Sequence, residues 1–387
     1  MTSARRRVVL LGATGSIGRQ ACDLVDRYPE HFELVGAVVG SDTAGLAAVV
    51  ERFGVPRSAV VAPRDPSAPL PKGAAVGLDA ACEVAALDAD VVCVGIAGAA
   101  ALKPTLAALD HGTDVAIATK EVLVMAGELV TARARATGAR LIPVDSEHSA
   151  LWQCLRGEDL RSVARLLLTA SGGPFRERPL DTLGRVTVEE ALHHPNWSMG
   201  PKITVDSATM MNKGLEIIEA HFLFGIDYPR IEVVIHPPSI VHSAVEFVDG
   251  ATVAQIGVPD MRIPIALALT DGVRLPGVCA PADLTVASPL HFEPVDPRRF
   301  PAPALARHAG EMGGGAPAVL NAANEAAVAA FLTGRCGYTD IVPLVAETLE
   351  AAPLPSDPSL DDLVELDAWA RRCVEQSVVA VTAGGGQ

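Results

Sequence analysis

The chain has 387 residues, enough for two or three domains with real cores, and with 49% hydrophobic but only 4% aromatic residues those cores are mostly Ala, Val and Leu. A net charge of −15 argues against a nucleic-acid partner, because phosphate binding wants the opposite sign, so any anionic ligand must be held by a local basic pocket. Seven scattered cysteines without CxxC spacing, and no stretch long enough to span a membrane, predict a soluble cytoplasmic protein with buried thiols.

Arg5-Arg6-Arg7 before an apolar run looks superficially like a signal peptide, but the run is short and breaks into glycines. It reads instead as a strand over 7–11, a turn Gly12-Ala13-Thr14-Gly15-Ser16-Ile17-Gly18, and a helix to Arg27. Such glycines let backbone N–H groups approach a pyrophosphate at a helix N-terminus, although the spacing is GxxGxxG rather than GxGxxG. A second strand, 32–39, ends at Gly40-Ser41-Asp42. An acid there serves the ribose hydroxyls of NAD, yet Asp42 equally suits a helix cap. No Arg or Lys stands there for a 2′-phosphate, Arg19 being a substitute contact, so the local reading leaves NAD and NADP open.

Strands over 59–62, 91–96, 114–118 and 140–144 alternate with helices, which predicts a doubly wound parallel sheet, an α/β class. Ligands of such sheets lie beyond the carboxyl ends of the strands, which nominates Gly12 to Gly18, Gly95 to Gly98, Lys120 and Asp145. Asp145-Ser146-Glu147 follows the last strand. In an extended segment both carboxylates face one spot, where a shared cation relieves their repulsion, whereas a helix starting here makes the tripeptide a cap.

Further on, 163–169 is a strand leading into Ser171-Gly172-Gly173, a hydroxyl and open N–H groups that suit either a phosphate nest or a tight turn. The stretch from His194 to Glu219 carries polar groups that apolar packing does not need: His194, Trp197, Lys202, Asp206, Ser207, Asn212, Lys213 and Glu216. A strand-like run, 202–205, leads into Asp206-Ser207 as the cap of a helix over about 209–224. On that helix Asn212, Lys213 and Glu216 stand three and four residues apart, so amide, ammonium and carboxylate point into one place. A solvated helix face accounts for a lone Lys/Glu pair, but not for so mixed a cluster. Glu216 joins Asp145 and Glu147 as an all-oxygen set suited to Mg²⁺ or Mn²⁺ rather than zinc.

Strand 232–235 ends at His236-Pro237-Pro238-Ser239, and strands 241–248 and 251–257 flank Asp249-Gly250, a hairpin in an α+β domain. Pro259-Asp260-Met261-Arg262 follows, Met261 being by default a packing residue. Residues 271–303 are proline-rich and read as a linker. The rest is helical, a small bundle in which Asn321, Asn324 and Glu325 read as interhelical polar contacts.

Together GATGSIG (12–18), TKE (119–121), PVDSEHSA (143–150), SGGPF (171–175), HPNWSMGPKITVDSATMMNKGLE (194–216), HPPSIVHS (236–243), PDMR (259–262) and NAANEAAVAAF (321–331) resemble the 1-deoxy-D-xylulose 5-phosphate reductoisomerases of non-mevalonate isoprenoid biosynthesis, over essentially the whole chain. The resemblance implies a homodimeric NADP-dependent oxidoreductase needing Mg²⁺ or Mn²⁺. It would rearrange and reduce its phosphosugar to 2-C-methyl-D-erythritol 4-phosphate. It implies a Rossmann-like NADPH-binding domain (1–145), a catalytic α+β domain (146–270), a linker (271–303) and a C-terminal helical bundle (304–387). Carried over by motif, Asp145, Glu147 and Glu216 would be metal ligands and Lys120 a catalytic contact to the carbonyl oxygen. Ser171, Ser207, Asn212 and Lys213 would hold the phosphate, with Ser146 and Ser239 among the substrate contacts. His194 and Trp197 would lie on a closing flap. Gly12, Thr14, Gly15, Ser16, Ile17, Gly40, Ser41, Asp42, Thr119, Lys120, Glu121, Gly200 and Met261 would line the cofactor.

Two positions depart from the family: Thr119 stands where it usually has Asn, and Ser41-Asp42 where many members carry a residue friendlier to a 2′-phosphate. Two rival readings exist. A metal-dependent phosphosugar isomerase or aldolase would show no metal-dependent NADPH oxidation with the ketose phosphate. A non-enzymatic nucleotide sensor would tolerate Glu216→Gln.

Overall fold

The structure, a computed structural model, describes residues 5–193, 199–285, 289–355 and 357–384. Short apolar runs broken by glycine turns build β1 (Arg6–Leu11), α1 (Ser16–Arg27), β2 (Phe32–Val39), α2 (Thr43–Phe53), β3 (Arg57–Val60), β4 (Ala74–Val76), α3 (Leu78–Ala85), β5 (Val91–Val94), α4 (Leu102–Asp110), β6 (Asp114–Ile117), α5 (Lys120–Thr137), β7 (Leu141–Pro143) and α6 (Ser146–Cys154). The seven strands form one parallel sheet, in the order β4-β3-β2-β1-β5-β6-β7. Val8 to Leu11 and Val91 to Val94 are buried, as central strands covered on both faces require. Strands β2 to β4 run outward on one side of β1 and β5 to β7 on the other. The order therefore reverses beside β1, which makes the ends of β1 and β5 the switch point where such sheets bind ligands. This is the doubly wound sheet expected. β4 is an addition to the strands expected, since three residues between Gly73 and Gly77 are too short to show a pattern. Helix α5 is broken at Ala126, whose φ of −144° is not helical.

The chain continues through β8 (Val163–Ala170), α7 (Val188–Ala191), α8 (Pro201–Thr209), α9 (Met211–Phe224), β9 (Ile231–Ile235), β10 (Val241–Phe247), β11 (Thr252–Ile256), α10 (Arg262–Leu269), β12 (Glu293–Pro294), α11 (Ala302–Met312), α12 (Ala316–Leu332), α13 (Ile341–Glu350) and α14 (Leu360–Gly384). A second, mixed sheet runs β11-β10-β8-β9-β12, with only β8 and β9 parallel. The Asp249-Gly250 hairpin joins β10 and β11 as expected.

Two compact units result: Met1–Leu123, Gly127–Trp152 and Asp260–Pro281 form one, and Val124–Ala126, Gln153–Pro259 and Ala282–Gln387 the other. Helix α10 belongs to the first, its Ile265, Ala268 and Leu269 sharing a core with Leu24, Val25 and Tyr28 of α1 and its flank. The sequence groups α10 with the catalytic region by position alone; the apolar IPIALAL that follows Arg262 suits either core, so its destination is not legible locally. The proline-rich stretch is likewise divided: Tyr28 Oη donates to Pro276 O at 2.8 Å within the first unit, while β12 pairs with β9 in the second. In the second unit α12 packs between its helical neighbours with Asn321 and Asn324 fully buried, and Arg371 of α14 holds Glu325 at 2.6 Å. Among the described residues no helix is long and apolar enough to cross a membrane.

Candidate active site

In the first unit, the glycine turn after β1 meets the loop after β5. Gly12 has φ +96°, and a Cβ there would lie 2.5 Å from Gly95 O. A Cβ on Gly18 would lie 2.5 Å from Ala13 C. Only glycine fits either position, so close backbone contact is what keeps the turn tight. Gly15 caps α1 with no side-chain hydrogen bond, which leaves the first-turn N–H groups of Ser16 and Ile17 open to an anion. Arg19 is turned back onto Thr14 O. At the end of β2, Asp42 accepts from Gly45 N at 2.9 Å and caps α2. Of its two sequence readings, capping is the one observed. Buried Thr119 donates to Ile96 O at 2.7 Å, tying the start of α5 to the loop after β5. Met261 abuts the core of this unit, in a turn where Arg262 holds the Asp260 carboxyl below its ordinary pKa by hydrogen bonding.

The acidic turn follows β7. The extended geometry expected for Asp145-Ser146-Glu147 is not observed, because α6 already begins at Ser146. Asp145 O accepts the first helical bond, from Ser149 N at 2.8 Å, and Glu147 sits in the first turn near the positive helix end. A helix start does not aim residues two apart at one spot, so the alternation that groups the two acids in the sequence does not operate here. Lys120, 7% exposed at its side chain, forms an ion pair with Asp145. Ser146 Oγ donates to Glu147. Fully buried His148 places Nδ1 at 3.8 Å from Asp145 Oδ2. His148 is an addition to the residues expected here; its i, i+3 spacing from Asp145 is a usable signal once a helix start is assumed.

In the second unit the run 202–205 is helical, not a strand. Pro201 starts α8 at the position proline favours, and Thr204 and Val205 are buried by packing that overrides their β-branched preference. Asp206 and Ser207 thus lie inside α8 rather than capping α9. The break between α8 and α9 falls at Met210, buried and left-handed at φ 60°, a conformation that costs a non-glycine residue about 1–2 kcal/mol. It frees the first turn of α9, which has no side-chain cap. There the expected convergence is found: Asn212 Nδ2 donates to Glu216 Oε1 at 2.6 Å and Lys213 Nζ to Glu216 Oε2 at 2.7 Å. Glu216 and Lys213 are 1% and 6% exposed, far from a solvated face.

The Ser171 turn leans on the same region. Gly172 and Gly173 are left-handed, Gly173 N donates to Ser171 Oγ at 3.2 Å, and a Cβ on Gly173 would lie 2.6 Å from Ser207 O. Ser171 and Ser207 are thereby brought to adjoining backbones. Tyr338, from the segment between α12 and α13, donates to Ala208 O at 2.7 Å and stands edge-on to Phe175, ring centroids 5.1 Å apart. Buried Asp206 is held by Lys202 at 2.9 Å and by Asn324 Nδ2 at 2.8 Å. Asn324 therefore reaches α8, beyond the bundle contact expected from the sequence. Ser239 follows β9 with φ 53°. Gly200 caps α8, while His194 and Trp197 lie outside the described residues. A cavity of about 600 Å³ in this unit, lined in part by Val234, Phe292, Phe300 and Arg307, includes none of the expected site residues.

Family signatures cover almost all of this. Residues 8–127 match the 1-deoxy-D-xylulose 5-phosphate reductoisomerase signature, 141–224 its C-terminal domain, and 256–373 the DXP reductoisomerase C-terminal domain. The 1-deoxy-D-xylulose 5-phosphate reductoisomerase of Leifsonia xyli is 51% identical over 371 residues, 96% of this chain and 98% of that one. The chain belongs to the 1-deoxy-D-xylulose 5-phosphate reductoisomerase family. The Pelotomaculum thermopropionicum reductoisomerase is 47% identical over 95% of this chain and 97% of its own. Among solved structures, the Zymomonas mobilis reductoisomerase in complex with NADPH superposes with TM-score 0.89 at 41% identity, covering 97% of this chain and 99% of that one. A DOX-P reductoisomerase in complex with NADPH, fosmidomycin and magnesium matches with TM-score 0.89 at 36% identity over 97% and 99%. Thr119 Oγ1 also donates to Val94 O, the last residue of β5, at 3.3 Å.

Proposed function

We propose that the chain converts 1-deoxy-D-xylulose 5-phosphate to 2-C-methyl-D-erythritol 4-phosphate, rearranging the carbon skeleton to an aldehyde and reducing it with NADPH, with one Mg²⁺ or Mn²⁺ per subunit. The observation that carries this is the Asn212, Lys213 and Glu216 cluster, its Lys and Glu buried, in a chain whose family resemblance is end to end. Asp145, Glu147 and Glu216 are the proposed metal ligands, an oxygen set suited to a hard cation. The tight glycine turn and uncapped start of α1 suit a dinucleotide. When bound, the cation supplies Lewis-acid polarisation and NADPH the hydride.

The remaining work falls to side chains. Lys120, nearly buried, is a fixed positive donor beside the substrate's carbonyl oxygen. Ser171, Ser207, Asn212 and Lys213 bind the phosphate, and that remote binding energy orients the reacting carbons. Ser146 and Ser239 contact the rest of the substrate. His194 and Trp197 complete the set of proposed substrate contacts. Gly12, Thr14 to Ile17, Gly40 to Asp42, Thr119 to Glu121, Gly200 and Met261 line the cofactor. By role, the first unit, with 260–281, holds nucleotide, and the second holds substrate, its Asn324 and Tyr338 bracing the phosphate end. A cytoplasmic homodimer completes the proposal; the open edge of β11, with Val253 and Ile256 exposed, supports pairing with a second copy.

NADPH consumption on adding the deoxyxylulose phosphate, abolished by a chelator and restored by Mn²⁺, is the expected result. Consumption that ignores the chelator, or none with metal present, would overturn the reading.

A further inference from the structure

The end of β2 poses a problem. NADPH differs from NADH by a 2′-phosphate, which such sheets meet at this strand end, where this chain offers an acid, Asp42. The net charge of −15 makes a local cation necessary.

The structure supplies one from a different loop. After β3 the chain runs alongside the residues after β2: Ala62 N donates to Gly40 O at 2.8 Å and Arg64 N to Ser41 O at 3.4 Å. Arg64 Nε then donates to Ser41 Oγ at 3.3 Å. No ion pair to Arg64 exists among the described residues, and its neighbour Asp65 is occupied by Ser67 N and Oγ at 2.9 and 2.6 Å. Asp42 is turned onto the start of α2, where the helix end stabilises its charge. The exposed group beside Ser41 is thus a guanidinium with its fork unspent, and guanidinium is the side chain whose geometry matches phosphate.

We propose that Arg64, seated on Ser41, binds the 2′-phosphate and sets the preference of this chain for NADPH over NADH. This rests on the NADPH reading above and adds to it the residue responsible. Position 64 lies more than twenty residues beyond the strand end, so no local motif displays it.

The test is binding, without substrate or turnover. NADPH and NADH are titrated by calorimetry into the full chain and into Arg64→Ala, Arg64→Lys and Ser41→Ala. Adenosine 2′,5′-bisphosphate and adenosine 5′-monophosphate serve as probes of the same end. Arg64 is exposed, so its loss leaves folding intact. Arg64→Ala should weaken NADPH and the bisphosphate by roughly ten- to a hundredfold, as removal of a charge-assisted bond does, and leave NADH and the monophosphate within about twofold. Arg64→Lys should recover part of the loss, and Ser41→Ala should show a smaller loss of the same kind. Equal weakening of NADPH and NADH, or none, overturns the role of Arg64 while the NADPH reading stands. A wild-type chain with no preference for NADPH overturns both.

Discussion

Replacing Gly173 by Ala tests whether the Ser171 turn and Ser207 form one cradle. Two effects are expected, and they separate. The left-handed φ of +65° costs an alanine about 1–2 kcal/mol of stability. The new Cβ would also lie 2.6 Å from Ser207 O, where ordinary contact begins at 3.4 Å, so Ser207 must retreat by 3.4 − 2.6, or 0.8 Å. Sub-ångström misplacement of a positioning group costs on the order of ten- to a hundredfold in rate. Gly225→Ala is the control: its φ is also +65°, yet nothing lies within 4 Å of its Cβ. Both variants should lose similar stability in urea. Only Gly173→Ala should lose kcat/KM for the deoxyxylulose phosphate, by tenfold or more, with NADPH affinity unchanged. Equal kinetics in the two variants would refute the cradle.

Gly12→Ala, whose Cβ would press on Gly95 O, should abolish nucleotide binding by calorimetry while Mn²⁺ still binds. Asn324→Leu removes the amide donor to buried Asp206, so it should raise the substrate KM more than it lowers kcat, and cost about 1–3 kcal/mol in denaturant unfolding; an unchanged KM would confine Asn324 to packing. Burial pushes the Cys22 thiol up to about 11 and Cys93 up to about 12, so little of either is thiolate at pH 8 and iodoacetamide should spare both in the native protein. Mass spectrometry showing either alkylated as fast as in guanidinium would contradict their placement in the core.

How much of the molecule is legible in its sequence depends on the range of the signal. The glycine turn, the parallel strand rhythm and the Asn212, Lys213, Glu216 spacing are local patterns, and the residues themselves display each of them. Lys202 to Val205 mislead because β-branched residues read as a strand, while the deciding influences, a proline at the helix start and burial of Thr204 and Val205, are tertiary. Strand alternation would aim Asp145 and Glu147 at one spot, but the helix that begins at Ser146 replaces that period, and the sequence shows no local sign of which of the two applies. Arg64 at Ser41, Asn324 at Asp206 and Tyr338 at Ala208 are invisible as partners, because each bond joins residues distant along the chain.

Asp145 and Glu216 are proposed to serve a single divalent cation. Mn²⁺ titration followed by electron paramagnetic resonance measures this directly, in the wild-type chain and in Asp145→Asn and Glu216→Gln. One tight site per subunit in the wild type, weakened tenfold or more by either substitution alone, with turnover down on the order of a thousandfold, is the result predicted. A site of unchanged affinity in either variant would contradict it.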